Sequence, residues 1–154
     1  MRKIALIFLS IFLFIIWTSP VLAGEVEYYG IGADIKKIDR TTFQIKTNGK
    51  QPNEGFGISS IDVTGNQNIS FQSNFKGKGE IIVKIAQFDE SGKLLKESTS
   101  KPIILSSTWD RKQADTKLVP KSKHIQILFL TSEAENQIFY LKNIRIQTKD
   151  QPSL

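Results

Sequence analysis

The sequence predicts an all-β fold, a single-domain antiparallel β-sandwich preceded by a cleavable signal peptide. Three observations carry that expectation. Strand-like runs recur about every ten residues, with Gly, Pro and Asn between them. No window keeps apolar residues at helical spacing over three turns. The run 80–88 (Glu-Ile-Ile-Val-Lys-Ile-Ala-Gln-Phe) is apolar on both faces, as suits a central strand covered on both sides over much of its length.

Residues 1–23 are set apart by composition. Arg2 and Lys3 form a basic n-region, 4–17 is an apolar run broken only by Ser10, and Val21-Leu22-Ala23 suits a signal-peptidase site. Cleavage is expected after Ala23. The run is shorter than the roughly 20 apolar residues of a comfortable membrane span, and Pro20 follows it, so export is expected rather than a retained anchor. What remains, 24–154, is one domain, long enough to bury about two-thirds of its unfolded surface. A secreted, periplasmic or cell-surface location follows. The chain has no cysteine, so disulfides, thiol catalysis, cysteine metal sites and a lipidated-cysteine anchor are all excluded.

The formal net charge is +6, spread along 154 residues. Its densest stretch, with Lys117, Lys121 and Lys123, suits either an anionic surface such as an acidic cell-wall polymer or a solvated edge strand. Nucleic acid is not an expected partner. Export argues against it, and alternating phenylalanines such as Phe71 and Phe75 ordinarily face a core.

The elements follow in order. Over 24–34, Val26 and Tyr28 alternate with Glu25, Glu27 and Tyr29, giving a short entering strand. In 41–47, Phe43 and Ile45 share one face, and Asn48-Gly49 behind them is the strongest short hairpin signal in the chain. After a polar loop over 50–55, the strand 56–63 carries Phe56 and Ile58 inward, then Ile61 and Val63 after a change of phase. A turn over 64–68 leads to 69–75, where Ile69, Phe71 and Phe75 lie on one side. Beyond 80–88, Asp89-Glu-Ser-Gly-Lys93 is a tight turn into a returning segment, 94–97. Pro102-Ile-Ile-Leu105 and Trp109 come next, and the chain is then polar through Thr116. In 122–130, Ile125, Ile127 and Phe129 oppose His124, Gln126, Leu128 and Leu130. After a polar loop (131–137), the last strand is 138–147.

This ordered series resembles a known family. The residues that carry it are Phe71-x-Ser73-x-Phe75, Gly79-x-Ile81-x-Val83-x-Ile85, Phe88-Asp89 with Gly92-Lys93, the Leu-Ser-Ser-Thr-Trp of 105–109, Val119-Pro120, Ile125-x-Ile127 and the Phe-Tyr-Leu-Lys-Asn-Ile-Arg-Ile of 139–146. Over 55–149 the chain is similar to the galactose-binding-like jelly rolls, which include many carbohydrate-binding modules of polysaccharide-degrading enzymes. The resemblance implies a jelly roll and a bulge where the phase changes between Leu141 and Ile144. Such modules often hold a structural calcium with paired aspartates in the last strand. Here Lys142 and Asn143 stand instead, a cation and a neutral oxygen, so neither calcium nor another cofactor is expected. These modules are usually joined to a catalytic domain, and the chain runs only four residues past Asp150, which favours a wall-associated, matrix or assembly role.

Carbohydrate sites in β-sandwiches use aromatic rings to stack on sugars and amide, carboxylate or guanidinium groups to read hydroxyls. The candidates are Trp109, Asp110, Arg111, Tyr28, Tyr29 and Tyr140. Trp109 reads more readily as a core or edge-packing residue at the start of a strand, its general role in the resembling family, and the tyrosines as half-buried residues with wet hydroxyls. His124 alone cannot make a zinc site. No Gly-x-Ser-x-Gly elbow occurs, and the close acidic pairs Glu25/Glu27, Asp89/Glu90 and Glu133/Glu135 fall in turns or at a terminus, so no enzyme activity is expected. Two functions remain: a secreted, non-catalytic module for carbohydrate or cell-wall polymer, and an exported structural protein that holds another exported protein through a sheet edge or apolar patch.

Overall fold

The computed structural model describes residues 27–65 and 67–149. The expected signal peptide and the chain up to Val26 lie outside them. Among the described residues there is no helix, and eleven strands form two antiparallel sheets. The first sheet contains β1 (Glu27–Ile31), β4 (Gly55–Asp62), β10 (His124–Thr131), β6 (Glu80–Phe88) and β7 (Leu94–Thr99) in that order, with the two-residue β8 (Ile103–Ile104) also on β6. The second runs β2 (Ala33–Lys37), β3 (Thr42–Thr47), β11 (Ile138–Lys149), β5 (Asn68–Gly77), β9 (Asp110–Lys117).

Most connections cross between the sheets, so the apolar side of each strand meets the other layer. Phe129 on β10 lies with ring centroids 5.1 Å from Phe71 and 5.8 Å from Phe75, both on β5 of the opposite sheet. Phe56 on β4 meets Phe43 on β3 at 5.2 Å. Around these rings Ile45, Ile58, Ile69, Ile81, Ile125, Ile127, Phe139 and Leu141 are fully buried. Each such side chain contributes about 1.5–3 kcal/mol of transfer free energy.

Two buried polar side chains tie loops to this core. Gln87 faces inward from β6. Its Oε1 accepts the Val119 N–H (2.8 Å) and the Ser122 hydroxyl (2.9 Å), and its Nε2 donates to the Lys117 carbonyl (3.3 Å). The crossover from β9 to β10 is thereby pinned. Glu54, also buried, accepts backbone N–H groups of Gly49 (2.7 Å), Lys50 (3.0 Å) and Gln51 (3.1 Å).

That carboxylate explains one departure from expectation. Asn48-Gly49 is not a hairpin turn, because β3 and β4 belong to different sheets; Glu54 folds 49–51 around itself and the chain crosses over. A second departure is β9, which forms in the polar stretch after Trp109. It is an edge strand whose inward positions, Asp110, Lys112, Ala114 and Thr116, are only half-buried, so it needs no apolar alternation. The entering strand is in fact two, β1 and β2, placed in different sheets with Gly32 (φ 56°) between them.

Other expectations hold. The phase change in β4 is a register shift opposite Ile125 and Ile127, and the one in β11 is a bulge between Lys142 and Arg145, with Asn143 at φ 54°. The turn after β6 is closed by Asp89, whose Oδ1 accepts from the Ser91 hydroxyl (2.6 Å) and the N–H groups of Ser91 (2.9 Å) and Lys93 (3.0 Å). Gly92 takes the left-handed conformation there (φ 80°).

Candidate functional site

Antiparallel partners point to the same side of a sheet, so the strand registers define the outer face of the second sheet row by row. One row is Lys36, Gln44, Tyr140 and Lys76, from β2, β3, β11 and β5. The next is Thr42, Lys142, Asn74 and Arg111. Beyond the β11 bulge comes Arg145, Gln72 and Gln113. The inward residues between them, Phe43, Ile45, Phe71, Phe75, Phe139 and Leu141, are buried and hold the strands in place.

Trp109 stands at the end of the first row. Phe75 pairs with Asp110, so the residue before Asp110 comes beside Lys76. The indole lies outside the core and is 36% exposed. It meets Tyr140 edge-on, with centroids 6.4 Å apart and planes at 73°. The Tyr140 hydroxyl accepts from Gln44 Nε2 at 2.8 Å, which fixes the phenol. Lys142 Nζ sits 4.1 Å from the indole centroid and Lys76 Nζ 6.0 Å from it. A cation over an exposed tryptophan is worth about 0.5–1 kcal/mol.

The face is polar and cationic. Gln44, Asn74, Gln72 and Gln113 supply amides, and Gln72 Nε2 donates to Gln113 Oε1 at 3.4 Å. Lys36, Lys76, Lys142, Arg111 and Arg145 supply five positive charges in the three rows, which contain no carboxylate. The ion pairs among the described residues are Lys84–Glu97, Lys112–Asp110 and His124–Asp62, and none involves these five.

The structure thus brings together three of the six candidates read from the sequence: Trp109, Arg111 and Tyr140. Asp110 points to the other side of β9, where its carboxylate is 2.6 Å from Lys112 Nζ. Tyr28 and Tyr29 belong to β1 in the first sheet. The Tyr28 ring packs 4.9 Å from Phe43 and 5.7 Å from Phe56. Tyr29 lies across Gly57, where any Cβ would strike the ring, and burial pushes its hydroxyl pKa up. His124 is a strand residue paired through Nδ1 with Asp62 at 2.8 Å.

Gln44, Asn74, Lys76 and Lys142 are members of the face that sequence reasoning did not select. Their signal was strand parity, since each is the polar alternate of a phenylalanine, isoleucine or leucine. A separate cleft of about 430 Å³ opens between the β7–β8 connection and β9, walled by Val83, Pro102, Ile103 and Ala114. Two of its polar side chains are already engaged. Ser100 Oγ accepts from the Val83 N–H (2.9 Å) and donates to the Lys101 carbonyl (2.8 Å), and Lys112 is paired with Asp110.

No protein-family model matches the chain, and no curated protein matches it. Solved structures do. A family 29 carbohydrate binding module complexed with cellulohexaose superposes with a TM-score of 0.60 at 13% identity, covering 80% of each chain. The CBM22-1 xylan-binding domain from Paenibacillus barcinonensis Xyn10C gives 0.60 at 12% identity, over 79% of this chain and 85% of that one. A CBM4 structure gives 0.60 at 14%, over 80% and 87%. The enzymatically active domain of a bacteriophage CBA120 tailspike protein gives 0.59 at 12%, and there the chain spans only 18% of its length. At these identities the likeness concerns architecture, and it agrees with the resemblance carried by the sequence: the chain is built on the jelly-roll β-sandwich of carbohydrate-binding modules.

Proposed function

We propose that the protein is a secreted, non-catalytic module that binds carbohydrate or cell-wall polymer on the outer face of its second sheet. The observation that carries this reading is the Trp109–Tyr140 pair, two aromatic rings outside the core, set among the amides and cations of the three central rows of the face. Ring faces stack on the apolar faces of sugars, while Gln44, Asn74, Gln72 and Arg111 offer donors and acceptors to hydroxyls. The fold supports it, since the structural neighbours include modules solved with cellulohexaose and a xylan-binding domain. Residues 1–23 support export, with cleavage after Ala23.

Capture of another exported protein by strand addition is disfavoured at β9, whose edge carries Asp110, Arg111, Lys112, Asp115 and Lys117. The test is retention of purified protein on cell walls and on a panel of polysaccharides. Wild type is expected to be retained on at least one of them, and Trp109→Ala to lose about tenfold or more in affinity while melting at an unchanged temperature. Absence of retention on every matrix refutes the reading.

A further inference from the structure

We infer that the ligand of this face is an acidic polysaccharide, one bearing carboxylates on its sugar units, and that Lys142 selects it by leaving the Trp109 ring. The inference rests on the carbohydrate-binding reading and sharpens it. Two independent features of the face point the same way.

The first is charge. Lys36, Lys76, Lys142, Arg111 and Arg145 are distributed over four strands and three rows, with no carboxylate among them and no ion pair formed by any of them among the described residues; the carboxylates of this face lie in the flanking rows, Asp34 opposite Lys46 and Asp115 accepting from Gln113 Nε2. Neighbouring strands lie about 4.8 Å apart, so a chain crossing β11, β5 and β9 along the second or third row meets a cation or an amide at each one. A neutral glycan offers these cations only hydroxyl oxygens as acceptors, whereas a polymer with a repeating carboxylate offers a charged partner to each that it passes.

The second is the position of Lys142. Its Nζ sits 4.1 Å from the Trp109 centroid, over one face of the indole, and a sugar stacking on that face meets it. A neutral sugar must displace that ammonium and returns no charge to it. An acidic sugar supplies a carboxylate that draws Nζ off the ring, so stacking and charge pairing form together. The aromatic platform is therefore self-capped, and the cap discriminates by charge. Single-stranded nucleic acid also joins anionic groups to stacking rings, but the amides of Gln44, Asn74, Gln72 and Gln113 match the hydroxyls of a glycan repeated along the face.

The experiment compares polygalacturonate with its carboxyl-reduced, neutral counterpart, using wild type, Lys142→Gln, Arg111→Gln and the double control Lys121→Gln/Lys123→Gln. Single-stranded DNA serves as a second polyanion. Wild type is expected to bind the acidic polymer about tenfold or more tightly than the reduced one, a preference that narrows as salt rises past about 0.15 M. Lys142→Gln is expected to compress that preference severalfold by two routes, weaker acidic binding and unchanged or tighter neutral binding. Tighter neutral binding is a readout that simple charge loss does not give. Arg111→Gln is expected to weaken acidic binding only, and the double control to match wild type. Equal affinity for the two polymers overturns the inference and leaves the carbohydrate reading standing. Binding of neither, with no other matrix retained, removes both. A loss in the double control as large as that in Lys142→Gln, or equally tight binding of DNA, reduces the effect to general attraction of polyanions and overturns the inference.

Discussion

At Trp109 two readings met in the sequence, packing residue and stacking residue, and the structure sets the ring on the outer face of the second sheet. The ring is a third exposed, edge-on to Tyr140 and capped by Lys142. It lies outside the aromatic core, whose rings are Phe43, Phe56, Phe71, Phe75, Phe129 and Phe139. Removing Trp109 therefore spares the fold, whereas removing a core polar anchor does not. Gln87 is fully buried and serves three loop groups. Gln87→Ala leaves the Val119 N–H and the Ser122 hydroxyl without their acceptor and is expected to cost about 2–4 kcal/mol in urea unfolding, at about 1–3 kcal/mol for each stranded group. A cost below about 0.5 kcal/mol, the range of ordinary surface substitutions, would show that the loop holds without it.

The turn between β6 and β7 gives a prediction with a sign at the scale of an element. Hydrogen bonds from the Ser91 hydroxyl and from the Lys93 and Ser91 N–H groups hold the Asp89 carboxyl below its ordinary value near 3.8. A carboxyl depressed on folding contributes stability above its unfolded pKa and loses it as pH falls through the lower folded value. The protection of the Ser91 and Lys93 amides, their exchange corrected for its intrinsic pH dependence, should therefore fall below pH 3.8, and Asp89→Asn should flatten that change. Identical acid profiles for the two proteins would contradict it. This turn and the strands around it were legible in the sequence because Asp-x-x-Gly chemistry and period-two alternation are local. The bulges in β4 and β11 were legible for the same reason, as shifts of phase. β9 was not, because an edge strand half-buried on its inner side needs no apolar alternation. Asn48-Gly49 misled because Glu54, three to five residues beyond the N–H groups it accepts, gathers the loop around its own carboxylate. The face itself was only half legible. Trp109 and Tyr140 are brought side by side by the pairing of β11 with β5 and of β5 with β9, a register that composition does not fix, and the pairing of β1 with β4 puts Tyr28 and Tyr29 in the other sheet.

For the whole molecule, the proposed function divides the work between the two layers. Phe129 bridges them by touching Phe71 and Phe75 across the interior, and Phe129→Ala is expected to destabilise the protein by about 3–5 kcal/mol in denaturant unfolding. That loss would weaken glycan binding only through the unfolded fraction, with affinity recovered at low temperature or in stabilising osmolyte, which marks the sandwich as scaffold and its outer face as site. The most direct test of that division is to follow backbone amide resonances of the labelled protein during titration with a retained polysaccharide or its oligosaccharides. Shifts are expected at Gln44, Asn74, Lys76, Trp109, Arg111, Tyr140 and Lys142, together with the Trp109 indole N–H, and not along β1, β4 or β7. Shifts confined to the first sheet, or to the cleft beside β8, would contradict the placement of the site on the second sheet.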